Sequence, residues 1–155
     1  MKKKLLVLIA LPVATALLIA AEKETAAKPS APGSEVPVPV DDSMHHLMEY
    51  VFEPAYKRLK ASMPDEPADK KAWSAMKADS LTLAESSNLL LHRLPEEDGD
   101  QWLKLAVKTR EAGGELYQAA RKKDYAAAKK HFGLMLNRCN ACHDKFADGD
   151  YQLKP

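Results

Sequence analysis

Between Asp41 and Phe146 the apolar residues recur at alternating steps of three and four, and the chain's two cysteines fall in register with the last of these runs. That run, opened by a capping Asp124, reads Tyr125, Ala128, Phe132, Met135, Cys139, Cys142 and Phe146. Upstream, Trp102, Ala106, Thr109, Gly113, Leu116 and Ala120 keep the same rhythm, as do Trp73, Met76, Ser80, Leu83, Ser87, Leu90 and Leu94. In the first run, Met44, Val51, Phe52, Ala55 and Leu59 fall within roughly 60° of Met48 at helical spacing, which puts Met48 at the middle of a buried stripe. Strand-like alternation is absent and glycine is scarce. Four amphipathic helices with short connections predict an all-α, antiparallel up-down-up-down four-helix bundle, its helices crossing at about 20°.

The expected bounds follow from turn chemistry. Helix one begins at Met44, capped by Asp42 or Ser43, and runs to about Ser62. Pro54 lies inside it, which predicts a kink or two shorter helices meeting there. The turn at Met63-Pro64-Asp65-Glu66-Pro67 leads to helix two, which Leu94-Pro95 stops near Arg93. Residues 95–100 form a turn before helix three.

The cysteines belong to Cys139-Asn140-Ala141-Cys142-His143. C-x-x-C-H is the attachment signature of c-type haem: two thiols add to vinyl groups, and the histidine ligates the iron. On a helix the three residues share an arc of roughly 100°, which suits a porphyrin edge fixed at two points with an imidazole under the metal. A thioredoxin-like pair would open a helix after a strand, and no strand precedes this one. A structural zinc would need a second ligand pair, for which only His45 and His46 are near, and a plain disulfide leaves the trailing histidine without a purpose. The cysteines' register with the core face places the haem, one per chain, inside the bundle.

Residues 1–21 have the layout of a cleaved signal peptide. Lys2-Lys3-Lys4 precede sixteen apolar residues, Leu5 to Ala20, and Ala20-Ala21 offer a small-residue cleavage point. The run is shorter than the roughly 20 residues of a membrane span, so no membrane insertion is expected after cleavage. Residues 22–41, rich in Pro, Ala, Ser and charge, read as an extended linker, residues 42–150 as the bundle and 151–155 as a tail. Cleavage removes three lysines and no acids, leaving a formal charge near −2 where the full chain has +1. That balance argues against nucleic-acid binding. A periplasmic or otherwise exported location suits thioether-bound haem.

In an antiparallel bundle the C-terminal end of helix four lies beside the N-terminal end of helix one. The residue facing the iron opposite His143 therefore comes from the first turns of helix one: Met48, Met44 or His45, or no protein ligand at all. Met48 is central on the apolar face and one turn inside the helix. Met44 shares that face in a fraying first turn, His45 sits about 60° off the stripe, and His46 points away. Gly113-Gly114 should cost about 1 kcal/mol each relative to Ala, either to bring the porphyrin close to the backbone or as a local kink. Trp73 and Trp102 are core residues, His92 and His131 face water, and Lys122-Lys123 and Lys129-Lys130 are solvated faces.

These features together make residues 42–147 resemble the class II c-type cytochromes, the cytochrome c′ family. Phe132-Gly133, then six residues, then C-x-A-C-H-D-x-F over Cys139 to Phe146 carries the resemblance, supported by Asp124-Tyr125 and Trp102. Where five-coordinate members place an apolar residue over the distal haem face this chain has Met48, so it is similar to the six-coordinate, low-spin branch. It departs from the pattern after Phe146, where Ala147 and Asp148-Gly149-Asp150 follow, and in helix one, where Met44 stands in place of the distal arginine. The resemblance leaves open a homodimer through helices one and two.

The expectation is a mono-haem one-electron carrier, not an enzyme, with Cys139 and Cys142 holding the haem and His143 and Met48 the iron, exchanging electrons with extracytoplasmic redox proteins. The alternative is a five-coordinate haem that captures NO or CO. A peroxidase would need a distal acid–base pair, for which only His45 and His46 are available.

Overall fold

Capping side chains set where each helix starts. Ser43 accepts the His46 N–H, Asp69 the Ala72 N–H at 2.7 Å, and Asp124 the Ala127 N–H at 2.9 Å, each satisfying one of the unpaired amides of a first turn. The computed structural model describes residues 38–155; the signal peptide and linker expected from the sequence up to residue 37 lie outside the described residues. All regular structure among the described residues is helical. Helix α1 covers 44–62, α2 runs Lys70–Ser86, α3 Gly99–Lys122 and α4 Tyr125–Phe146.

Helix α1 changes character beside Pro54, which falls in the first turn of the regular α-helical part, Glu53–Ser62. It opens into a π-helical stretch, Leu47–Phe52, where the Glu53 N–H reaches back five residues to the Met48 carbonyl. Proline has no N–H to give and its ring crowds the carbonyl four residues before it, so one extra residue in the turn relieves both demands. The insertion turns the N-terminal end of α1 relative to the rest. Leu47, absent from the expected stripe, is buried, while Met44 and Met48 are half-buried.

Helix α2 stops as an α-helix at Ser86 and tightens into a 3₁₀ segment, Ser87–His92, before the extended chain at Leu94. Leu94, expected on the stripe, is 55% exposed as a result. The Leu90 carbonyl accepts both the Arg93 N–H, at 3.2 Å, and the Trp102 indole N–H, at 2.8 Å.

Two layers of core show the antiparallel order. At one end Leu59 and Met63 of α1 meet Trp73 and Met76 of α2, Leu116 and Ala120 of α3, and Ala128 and Phe132 of α4. At the other, Leu47, Leu90, Trp102 and Ala106 form a second cluster with Met44, Met48 and Phe146 against it. The fold is therefore the four-helix bundle its periodicity predicts. Successive helices pack closely, but no Cα of α1 lies within 8 Å of one in α4. Buried Ser80 and Ser87 satisfy their hydroxyls on the Met76 and Leu83 carbonyls four residues back. Asp79, at the margin of the expected core face, is buried and accepts two hydrogen bonds from the Arg58 guanidinium, at 2.8 and 2.6 Å.

Gly113 brings helix to helix, not helix to porphyrin: a Cβ there would stand 3.0 Å from the Ala84 Cα. Gly114 has open space where its Cβ would be.

Candidate functional site

Between α1 and α4, whose Cα atoms nowhere approach within 8 Å, lies an apolar cavity of about 590 Å³, within the range of cofactor pockets. One wall is the end of α4, with Met135, Leu136, Cys139, Cys142, His143 and Phe146; α1 supplies Met44, His45, Met48, Phe52 and Tyr56. Leu83 and Leu90 of α2 and its 3₁₀ segment, and Trp102, Ala106 and Thr109 of α3, form the floor. Cys139, Cys142, His143 and Met48 thus line one space, although Met48 stands 91 positions before Cys139 in the chain.

Helix α4 is unbroken through the motif, so Cys142 sits one turn beyond Cys139 with His143 next to it. Both thiols are free and half-buried. Burial in apolar surroundings, reinforced by neighbouring Cys142, pushes the Cys139 thiol up to about 12. Burial also raises Cys142, against the pull of the Thr109 hydroxyl beside it. Neutral thiols facing an apolar cavity are poor metal ligands and poor redox nucleophiles. Among the described residues no three or more His, Cys, Asp or Glu are gathered into one group that could hold a metal ion. The donor set suits a group that brings its own metal and bonds to sulfur.

His143 is oriented by its backbone surroundings. Its Nδ1 lies 3.0 Å from the Tyr151 carbonyl. A carbonyl only accepts, so Nδ1 carries the proton and Nε2 keeps a free lone pair for a metal. On the α1 side, His45 Nε2 stands 3.3 Å from Glu49, and His46 Nδ1 donates to Asp41 at 2.7 Å. His46 also stacks on Tyr50 with ring centres 5.3 Å apart and does not line the cavity. Trp102 meets Phe146 edge-on at 5.0 Å, which braces the floor against the end of α4.

Sequence reasoning missed Tyr56, Tyr151 and Leu153, which also line the cavity. The Asp148-Gly149 pair after α4 was the available signal, since such pairs reverse a chain at a helix end. A second, shallow cleft of about 600 Å³ lies away from these residues, with Glu111, Glu115, Asp124 and His131 among its walls. His131 does not face water freely; it is half-buried with Nδ1 3.0 Å from Glu115.

A helical bundle held open by an apolar cleft, with C-x-x-C-H along one wall, defines a haem-carrying c-type cytochrome of the bundle class. The family model described as Cytochrome C′ matches residues 51–147, and the chain belongs to that family, which implies haem c with its iron. The match begins after the first turns of α1, so Met44 and Met48 lie outside it. No curated protein and no solved structure matches the chain.

Proposed function

We propose that the protein is an exported c-type cytochrome that carries single electrons, with one haem joined to Cys139 and Cys142 and its iron held between His143 Nε2 and the Met48 sulfur. The observation that carries this reading is the cavity itself, which has the attachment motif on its α4 wall and a methionine, one turn into α1, on the other. Bound haem supplies a one-electron ferric–ferrous couple. Phe52, Leu83, Leu90, Trp102 and Ala106 would give the haem an apolar lining, and the soft thioether of Met48 would favour the reduced state; both would raise the potential. Among the α1 candidates His45 is the weaker, its ring engaged with Glu49 and its side chain 70% exposed.

The protein makes and breaks no bonds in this role, so it is a carrier and not an enzyme. Its partners are redox proteins outside the cytoplasmic membrane. No described helix is long and apolar enough to cross a membrane. The ferrous visible spectrum tests the reading. Sharp low-spin bands are expected for the native protein, and a broad high-spin envelope for Met48→Ala. A native spectrum that is already high-spin and responds to NO or CO removes the sixth ligand and establishes the gas-binding alternative.

A further inference from the structure

Residues 148–155 do not trail away from the bundle. Helix α4 ends with the Ala147 and Gly149 amides both donating to the His143 carbonyl, at 2.9 and 3.1 Å. The chain then reverses through left-handed backbone at Asp148 (φ 51°), Gly149 (φ 78°) and Tyr151 (φ 59°). Only glycine adopts that conformation without penalty; for tyrosine it costs about 1–2 kcal/mol. The Tyr151 side chain gives nothing back through burial, being 73% exposed. What the strained residue does contribute is its carbonyl, which accepts from His143 Nδ1. Strain held at one residue beside a functional side chain points to a use for that residue's geometry.

The residues that follow Tyr151 are tied down. Gln152 donates to Asp144 at 2.8 Å and to the Gly149 carbonyl at 3.1 Å. Asn140, inside the C-x-x-C spacer, clamps Leu153 twice: its Nδ2 donates to the Leu153 carbonyl at 3.0 Å and its Oδ1 accepts the Leu153 N–H at 2.8 Å. From α1, the Tyr56 hydroxyl donates to the Lys154 carbonyl at 2.8 Å. The Leu153 side chain packs against the core and closes part of the cavity. This segment lies beyond the end of the family match at residue 147.

We propose that the C-terminal segment is a positioning strap for His143: the Tyr151 carbonyl, held in place by Asn140 and Tyr56, fixes the imidazole tautomer, aims Nε2 into the cavity and strengthens it as a donor. The proposal rests on the reading of His143 as the iron ligand. A carbonyl on Nδ1 makes the imidazole a better electron donor, which favours the ferric state and lowers the potential. The strap thus opposes the upward pull of Met48, and potential is set by both walls of the cavity.

The test compares three haem-bearing proteins: the native chain, a chain ending at Asp150, and full-length Asn140→Ala. Two quantities are read: the reduction potential, and by NMR the exchange rate of the His143 ring N–H with solvent deuterium. In the shortened chain exchange should quicken by about tenfold or more and the potential should rise. Asn140→Ala should move both the same way by less. If the shortened chain does not accumulate, Asn140→Ala carries the test on the same two quantities. Haem attached but both quantities unchanged in the variants overturns the strap and leaves His143 as ligand. A native chain without covalent haem, or a His143→Ala spectrum identical to native, overturns the reading underneath.

Discussion

Arg58 and Asp79 form a pair that no periodicity announces. Asp79 lies between Met76 and Leu83 beside the buried Ser80, so a helical wheel puts it at the margin of the core with nothing to say which residue neutralises it. Only the packing of α1 on α2 brings the guanidinium to it. The carboxylate is buried and the arginine is mostly in water, so the pair sits at the rim of the core. Removing the guanidinium strands the carboxylate: Arg58→Ala should cost about 1–2 kcal/mol in denaturant unfolding, at the lower end of the range for an unsatisfied buried group because solvent can reach part of the site. The double variant Arg58→Ala with Asp79→Ala should recover part of that loss. If it is no more stable than the single variant, the pairing contributes nothing specific. At the same scale, Met44, His45 and Met48 all line the cavity, and His45 differs from the two methionines in standing 3.3 Å from the Glu49 carboxylate.

At the scale of the helices, two adjacent glycines behave differently because their surroundings differ. At Gly114 nothing lies within 4 Å of a new Cβ, so Gly114→Ala should stabilise by about 0.5–1 kcal/mol through helix propensity alone. At Gly113 the same methyl group meets the Ala84 backbone at 3.0 Å, and overpacking costs about 1–3 kcal/mol, more than the propensity gain. Thermal unfolding of the two variants should therefore move in opposite directions. The π turn of α1 yields a second prediction. Pro54→Ala lifts the constraint that the extra residue accommodates, so α1 should revert towards regular α spacing and gain stability. That reversion rotates Met48 relative to Leu59, and the low-spin fraction of the haem spectrum should fall as the melting temperature rises. A more stable variant with an unchanged spectrum would show that the π turn does not aim Met48.

At the scale of the whole molecule, the cleft between α1 and α4 is an apolar space that the packed helices do not fill. A chain prepared without haem keeps that space and two neutral thiols facing it. Cys139 carries a folded-state value of about 12 against an ordinary thiol value of 9.0, so the folded form holds its proton where the unfolded form has lost it. A raised value contributes stability that is fully present below pH 9 and is lost as pH climbs towards 12. Haem-free protein should therefore lose stability progressively over that interval, followed by far-UV circular dichroism in denaturant. The haem-bearing protein should lack this component, because a thioether sulfur has no proton to release. An equal alkaline loss in both forms would remove Cys139 as its source.

Much of this molecule follows from local rules. Spacing of three and four determined four helices and most of their buried faces, capping residues determined where they begin, and C-x-x-C-H pointed to c-type haem, because each depends on atoms a few residues apart. That Cys139, Cys142 and His143 share one helix wall was legible for that reason. What needed the tertiary structure was every relation between distant segments: how far α1 stands from α4, that Leu47 and not Met48 fills the core, that Gly113 serves a helix contact, and that the last residues return to His143. These depend on which surfaces meet. A π turn beside a proline shifted one helix by a residue, and eight terminal residues found their place through hydrogen bonds between side chains and backbone and one packed leucine, which leave no trace in helical periodicity.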